Sequence, residues 1–421
     1  MDMQNLSQTL GSLLEKLVRE HRLARQAMID EMERVFQAEG YRMHQSGPQR
    51  ILILRLDEIG DNVLTSAFLR ELRRHAPQAE IDLVVKSGVF PLMELCPYVD
   101  RVLPATGFPK EDVPQSNDVL RWTQDYCASM LWPVHYDLCF LPRWDVDIQF
   151  GTMLAFLSGA RERIGFTEHL YPWKEQQQKG SDAFLTRRIM TPPSVVHEVE
   201  KSLYMLHAVG VEAESNHIEL WLEQADHDVA RHVLAQAGDG PKIAVCVATR
   251  EPWKDYPPDL LAKALRSLLN TGATFFLLGG KGERDAAKAV MHRLPSGRAV
   301  NLAGKTSLRE AAALISQADL YMGGDTGLTH VAAAAHRPIV EWSTYPADIP
   351  VSMLSFYARF YPWQTRAAIL RPAHAVGACK NLIAGPWELS GCHAHDTSHC
   401  IRTIPTEAIV QVARQLLGAK R

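Results

Sequence analysis

No apolar run in this chain approaches the roughly 20 residues that a membrane-spanning helix needs. The longest, Thr274–Gly280 and Val331–Ala335, have the length of a buried strand and a buried helix face. A basic segment followed by an apolar stretch is missing from the first residues, where Asp2, Gln4, Asn5 and Ser7 stand, so a secretory signal is not expected. There is no basic block either. The net charge of −3 argues against a nucleic-acid surface, yet leaves room for an anionic nucleotide held by a few amides and one or two cations. Cysteine is sparse: seven is an odd number, and Cys96, Cys127, Cys139 and Cys246 show no paired spacing. A disulfide scaffold is therefore not expected, and a reducing cytoplasm is.

What is present has the balance of a folded protein, with 46% hydrophobic and 22% charged residues. A chain of 421 residues is too long for one ordinary core, which favours two domains. Near the start, Leu6, Leu10, Leu13, Leu17, Met28, Met32 and Val35 recur at the three-and-four spacing of an amphipathic helix. Its polar face mixes both charge signs, unlike a membrane-surface helix. It is expected to pack on its own domain or on a twin subunit, giving a homo-oligomer.

From Ile51 onward, strands and helices alternate. Ile51–Leu56 is a continuous apolar run, as in a strand buried on both faces of a parallel sheet. A helix is expected from about Asn62 to His75, then a strand at Ile81–Val85, another at Tyr136–Leu141, and a helix over Asp147–Leu157. A second series begins near Lys242: strand Ile243–Val247, helix Pro258–Asn270, strand Thr274–Leu278, helix Leu308–Ser316, strand Leu320–Met322 and helix Leu328–Ala335. The pattern is α/β with two doubly wound, Rossmann-like halves. It divides the chain into a helical extension (1–46), a first domain (47–218), a second (219–404) and a terminal helix (405–421).

Ligands in such sheets collect at the carboxyl ends of strands, where three segments place polar groups. In Asp57-Glu58-Ile59-Gly60-Asp61, Gly60 allows a tight turn, and Asp61 is either an N-cap or a general base aimed into the crevice. In Ala248–Lys254, Thr249, Arg250 and Lys254 offer a hydroxyl and two cations to a phosphate, or form an ordinary solvated loop. In Gly323-Gly324-Asp325-Thr326-Gly327-Leu328-Thr329-His330, a strand, a glycine-rich turn and a helix N-terminus make an anion site, with His330 on the first helical turn. This last segment is neither a Walker A sequence nor a G-x-G-x-x-G fingerprint, which weighs against kinases and dehydrogenases.

Together these segments resemble glycosyltransferase family 9, the ADP-heptose heptosyltransferases and their relatives. Arg55–Thr65 is similar to the family's R-x-x-x-x-G-D-x-x-x-T, and Asp325–His330 to its D-T-G-x-x-H. Tyr98–Val102, Arg161–Phe166, His197–Glu200 and Gly279–Glu283 resemble further landmarks in the same order, so the likeness spans about residues 50 to 417. It implies a GT-B fold with two domains facing a cleft, the acceptor on the first and the nucleotide sugar on the second. It also implies an inverting transfer that needs no metal, with Asp61 as base and Lys254 on the departing phosphates. Gly60 and Asp57 would lie on the acceptor side. Thr249, Arg250, Glu283, Asp325, Thr326, Gly327, Leu328 and His330 would hold the donor, with Glu283 reaching the ribose. The terminal helix would cross back onto the first domain.

The acceptor stays open among a lipid-linked glycan such as the lipopolysaccharide core, another surface glycan and a protein side chain. A lipid-linked acceptor implies peripheral contact with the inner face of the bacterial inner membrane. Another nucleotide sugar on the same fold, and a non-catalytic assembly subunit, are the rival readings. Cys379, Cys392 and Cys400, interleaved with His393, His395 and His399, read either as a structural zinc or iron site or as a reduced surface loop.

Overall fold

The computed structural model describes residues 9–10, 12–13, 22–41, 47, 49–109, 116–249, 251–375 and 400–418. Contacts divide the chain into two compact units. The first comprises residues 1–58, 67–195 and 199–216; the second comprises 59–66, 196–198 and 217–421.

The first unit is built on a six-stranded sheet of β1 (Arg50–Arg55), β2 (Glu80–Val85), β3 (Arg101–Pro104), β4 (Leu138–Leu141), β5 (Glu162–Phe166) and β6 (Arg187–Ile189), in the order β3-β2-β1-β4-β5-β6. Every pairing is parallel. β1 shows why: five of its six residues are buried, as a central strand covered by helices on both faces requires. The order reverses between β1 and β4, so a crevice is expected at their carboxyl ends.

The N-terminal helix runs Arg22–Ala38 and belongs to this unit. Ile29, Met32 and Phe36 join Leu52, Trp132 and Phe156 in one core, with Phe36 edge-on to Phe156 at 6.0 Å. Glu33 pairs with the nearly buried Arg163, and Tyr41 stacks on His135 at 4.4 Å. Of the two partners expected for this helix, its own unit takes the apolar face. Burying a phenylalanine such as Phe36 contributes about 1.5–3 kcal/mol.

The second unit repeats the plan with β7 (Lys242–Cys246), β8 (Thr274–Leu278), β9 (Ala299–Asn301), β10 (Leu320–Gly324), β11 (Ile339–Trp342) and β12 (Ala367–Leu370), all parallel, in the order β12-β11-β10-β7-β8-β9. Its order reverses between β7 and β10. The terminal helix Thr406–Gly418 buries Ile409, Val410 and Ala413 in this unit's core beside Leu261 and Leu265 of the helix Pro258–Leu268. The expectation that its apolar face serves the first domain is thus corrected. No helix among the described residues is long and apolar enough to cross a membrane.

Two helices begin elsewhere than expected, for local reasons. The helix predicted over 62–75 is two, Ile59–Leu64 and Ser66–His75. At the break, Thr65 Oγ1 donates to Asp61 O at 2.7 Å and Ser66 Oγ to Val63 O at 2.6 Å, the back-bonding that bends helices. The helix predicted from Asp147 starts at Gly151, because the Asp147 carboxylate accepts from the Gly151 and Thr152 amides at 2.9 and 2.7 Å and so stands before the first turn.

Candidate active site

Of the residues expected to hold the donor, those following β7 and β10 lie at the ends of these two neighbouring strands. After β7, Thr249 N donates to Asp255 Oδ1 at 2.6 Å, and Thr249 Oγ1 donates to Glu251 O at 2.7 Å. These bonds fold the loop so that the short helix Pro252–Lys254 carries Lys254 back toward the sheet. Burial raises the Asp255 pKa to about 6 against the Thr249 hydrogen bonds, and the nearby Glu283 charge adds to the rise. Thr249 and Glu283 are therefore brought into one neighbourhood.

β10 ends in the turn that launches the helix Gly327–Ala334. Thr329 Oγ1 donates to Gly324 O at 2.7 Å, pinning the turn to the helix. Beneath it lies the buried Tyr321, whose hydroxyl is 3.4 Å from both Thr326 Oγ1 and Thr329 Oγ1. The positive dipole end of the helix lies at this splinted turn, where Thr329 N donates to Thr326 O at 3.0 Å. Lys254 Nζ lies 3.9 Å from Asp325 and 3.1 Å from Glu251. Burial opposes the Lys254 ammonium, but Asp325, Glu251 and Asp61 outweigh it and raise its pKa above the ordinary lysine value. Lys254 therefore stays charged at neutral pH.

Asp61 reaches this group because the helix Ile59–Leu64 packs on the helix Gly327–Ala334. Asp61 lies within the first turn, not at the cap. Gly60 does not serve the tight turn that the sequence suggested. It lies inside the helix, and a Cβ there would stand 2.5 Å from His330 Cδ2. Gly327 answers it: a Cβ there would stand 2.6 Å from Ile59 Cβ and 3.1 Å from Gly60 N. Two glycines thus let the two helices meet at backbone distance. His330 is 3% exposed, and Nδ1 has no hydrogen-bond partner. Burial lowers its pKa, the Lys254 charge adds to that and Asp325 opposes it, so the ring is neutral at pH 7. Gly60→Ala is expected to cost about 1–3 kcal/mol, as overpacking does, read as a lowered urea midpoint. Gly88→Ala, with nothing within 4 Å, is the control that should leave the midpoint unchanged.

Asp57 is placed in the first unit, where it pairs with Arg55 at 2.8 Å and with Arg143. It lines a pocket at the ends of β1, β4 and β5, together with Asp145, Gln149 and Lys174. Burial pushes the Lys174 pKa down to about 7, while Nζ donates to Trp144 O at 2.7 Å.

Three features escaped the sequence reading. The first is Glu341, buried at the end of β11. The second is an aromatic wall around the cavity shared by Lys254 and Asp325. The third is its brace: Arg359 pairs with Glu198 at 2.8 Å with both side chains buried, and His197 stacks on Trp363 at 4.3 Å. An acid within the apolar run Ile339–Trp342 was the available signal for the first. Arg250, Cys379 and Cys392 lie outside the described residues. Cys400 is buried, and among the described residues no group of three or more His, Cys, Asp or Glu side chains could hold a metal ion.

The sequence profile of Glycosyltransferase family 9 (heptosyltransferase) matches residues 152–370, just over half of the chain. The chain belongs to this family. Lipopolysaccharide heptosyltransferase 2 of Salmonella typhimurium is 23% identical over 306 residues, 69% of this chain and 81% of the relative. Lipopolysaccharide core heptosyltransferase OpsX of Haemophilus influenzae is 24% identical over 304 residues, 71% of this chain and 80% of the relative. Among solved structures, a glycosyl transferase family 9 protein of Veillonella parvula superposes with a TM-score of 0.68 at 19% identity, covering 89% of this chain and 98% of its own. E. coli ADP-heptose lps heptosyltransferase II gives 0.62 at 18% identity, covering 88% and 98%. This family 9 glycosyltransferase therefore has the GT-B class of α/β fold, two doubly wound sheets preceded by a helical extension.

Proposed function

We propose that the enzyme transfers heptose from ADP-heptose to a hydroxyl group of a cell-surface glycan such as the lipopolysaccharide core, with inversion and without a metal. The observation that carries this is the meeting of Asp61, Lys254 and Asp325 at one glycine-built helix N-terminus. Asp61 takes the proton of the acceptor hydroxyl as its oxygen bonds to the anomeric carbon from the face opposite the diphosphate. The bond from that carbon to the phosphate oxygen breaks, the electron pair leaves with the diphosphate, and ADP is released. Lys254 and the amides after Asp325 meet the negative charge where it grows. Thr249 and Glu283 are assigned to the donor, Glu283 to its ribose, and Thr326, Gly327, Leu328 and His330 to its phosphates. The cavity at Asp57 is assigned to the acceptor. The names of the relatives support the sugar and the acceptor class. A lipid-linked acceptor would place the work at the cytoplasmic face of the inner membrane.

The test is a binding and transfer panel of ADP-, UDP- and GDP-sugars with purified protein. ADP-heptose is expected to bind best and to release ADP only when a glycan acceptor is added. Preference for a UDP- or GDP-sugar would sink the donor assignment while keeping the chemistry.

A further inference from the structure

The pocket bordered by Lys254 and Asp325 has a floor and a wall that the transfer chemistry does not use. Glu341 forms the floor, paired across the sheet with Gly323. It is 5% exposed, and its Oε2 has no hydrogen-bond partner. Burial first, and then the Asp325 charge, push its pKa well above the ordinary carboxylate value. In either protonation state its carbonyl-type oxygen accepts a hydrogen bond. A buried polar group left without a partner costs about 1–3 kcal/mol, which a ligand that supplies a hydrogen bond to Glu341 would offset.

The wall is aromatic. Tyr345 and Tyr357 stack at 5.9 Å, and Phe356 and Phe360 at 5.6 Å. The buried Arg359–Glu198 pair fixes the short helix Phe356–Arg359 that carries two of these rings. Aromatic rings around one buried carboxyl group suit a sugar, whose C–H groups lie against aromatics and whose hydroxyls can give a hydrogen bond to the carboxyl oxygen. A phosphate oxygen carries no proton to give to the unpartnered Glu341 oxygen.

We propose that this cavity holds the sugar that is transferred and that Glu341 reads one of its hydroxyl groups, making it a specificity-determining residue of the donor site. The inference rests on the nucleotide-sugar reading of the neighbouring turn. Calorimetric titration tests it, using the nucleotide sugar that binds tightest in the panel above beside its free nucleoside diphosphate. E341A should weaken the nucleotide sugar about tenfold, equivalent to about 1.4 kcal/mol, and leave the diphosphate within about twofold. E341Q, whose amide also donates and accepts, should restore most of the loss. Should E341A fail to fold, Tyr357→Ala, at a half-buried wall position, should show the same sugar-specific loss. Equal weakening of both ligands, no weakening of either, or a wild type that binds the sugar nucleotide no tighter than the diphosphate would each overturn the inference and leave the nucleotide reading standing. A wild type that binds neither ligand overturns both.

Discussion

Asp61→Asn is expected to lower the transfer rate by about 10²–10⁴-fold, the range a positioned general base supplies, while donor affinity stays within about twofold. The change is nearly isosteric and removes the negative charge of the carboxylate together with its capacity to take a proton. The hydrogen bonds that shape the bend at Thr65 go to the main-chain oxygen of Asp61, not to its carboxylate, so the local helix is retained. Lys254 keeps its charge because Asp325 and Glu251 rank above Asp61 in holding it. Steady-state rates with saturating acceptor, set beside calorimetric donor binding, separate chemistry from binding. A rate within tenfold of wild type would show that another group takes the proton.

Lys254→Met is expected to have the second largest effect, about 10²–10³-fold in kcat, as when a group that stabilises developing negative charge is removed. Donor affinity should fall as well, since the diphosphate already carries charge in the ground state. Lys254→Arg should recover little, because a planar guanidinium does not replace a compact ammonium 3.1 Å from Glu251 and 3.9 Å from Asp325. The sign of the pH dependence follows from the raised pKa. The ammonium persists below it and is lost only as pH climbs through it, beyond the ordinary lysine range, so an activity loss between about pH 7 and 9 would not come from Lys254. A donor-binding profile that falls in that window in wild type but not in Lys254→Met would refute this assignment.

Much of this was legible in the chain. β1 and β10 are apolar through Ile51–Leu54 and Leu320–Met322 and lead into polar turns, as central parallel strands do. The D-T-G-x-x-H segment announced the anion turn, since its helix N-terminus is a local property. What stayed hidden depended on partners far away in sequence. Gly60 looked like a turn residue, and only the ring of His330 beside it explains the missing side chain. Glu341 looked like one polar position in a strand, and its meaning appears only once Asp325 and the aromatic wall stand around it. The terminal helix has an apolar stripe that says it must pack, but not upon which core.

The placement of residues 59–66 has a consequence for the way the protein is made. The ribosome delivers the helix Ile59–Leu64 early, while Gly327–Ala334, the helix it packs against, comes from the last third of the chain. A nascent first half can pair β1 with β2 and β4, yet the segment bearing Asp61 must wait without its partner until synthesis is almost over. Asp61 is thus set in place late, and truncated or stalled chains would carry it without the helix that supports it.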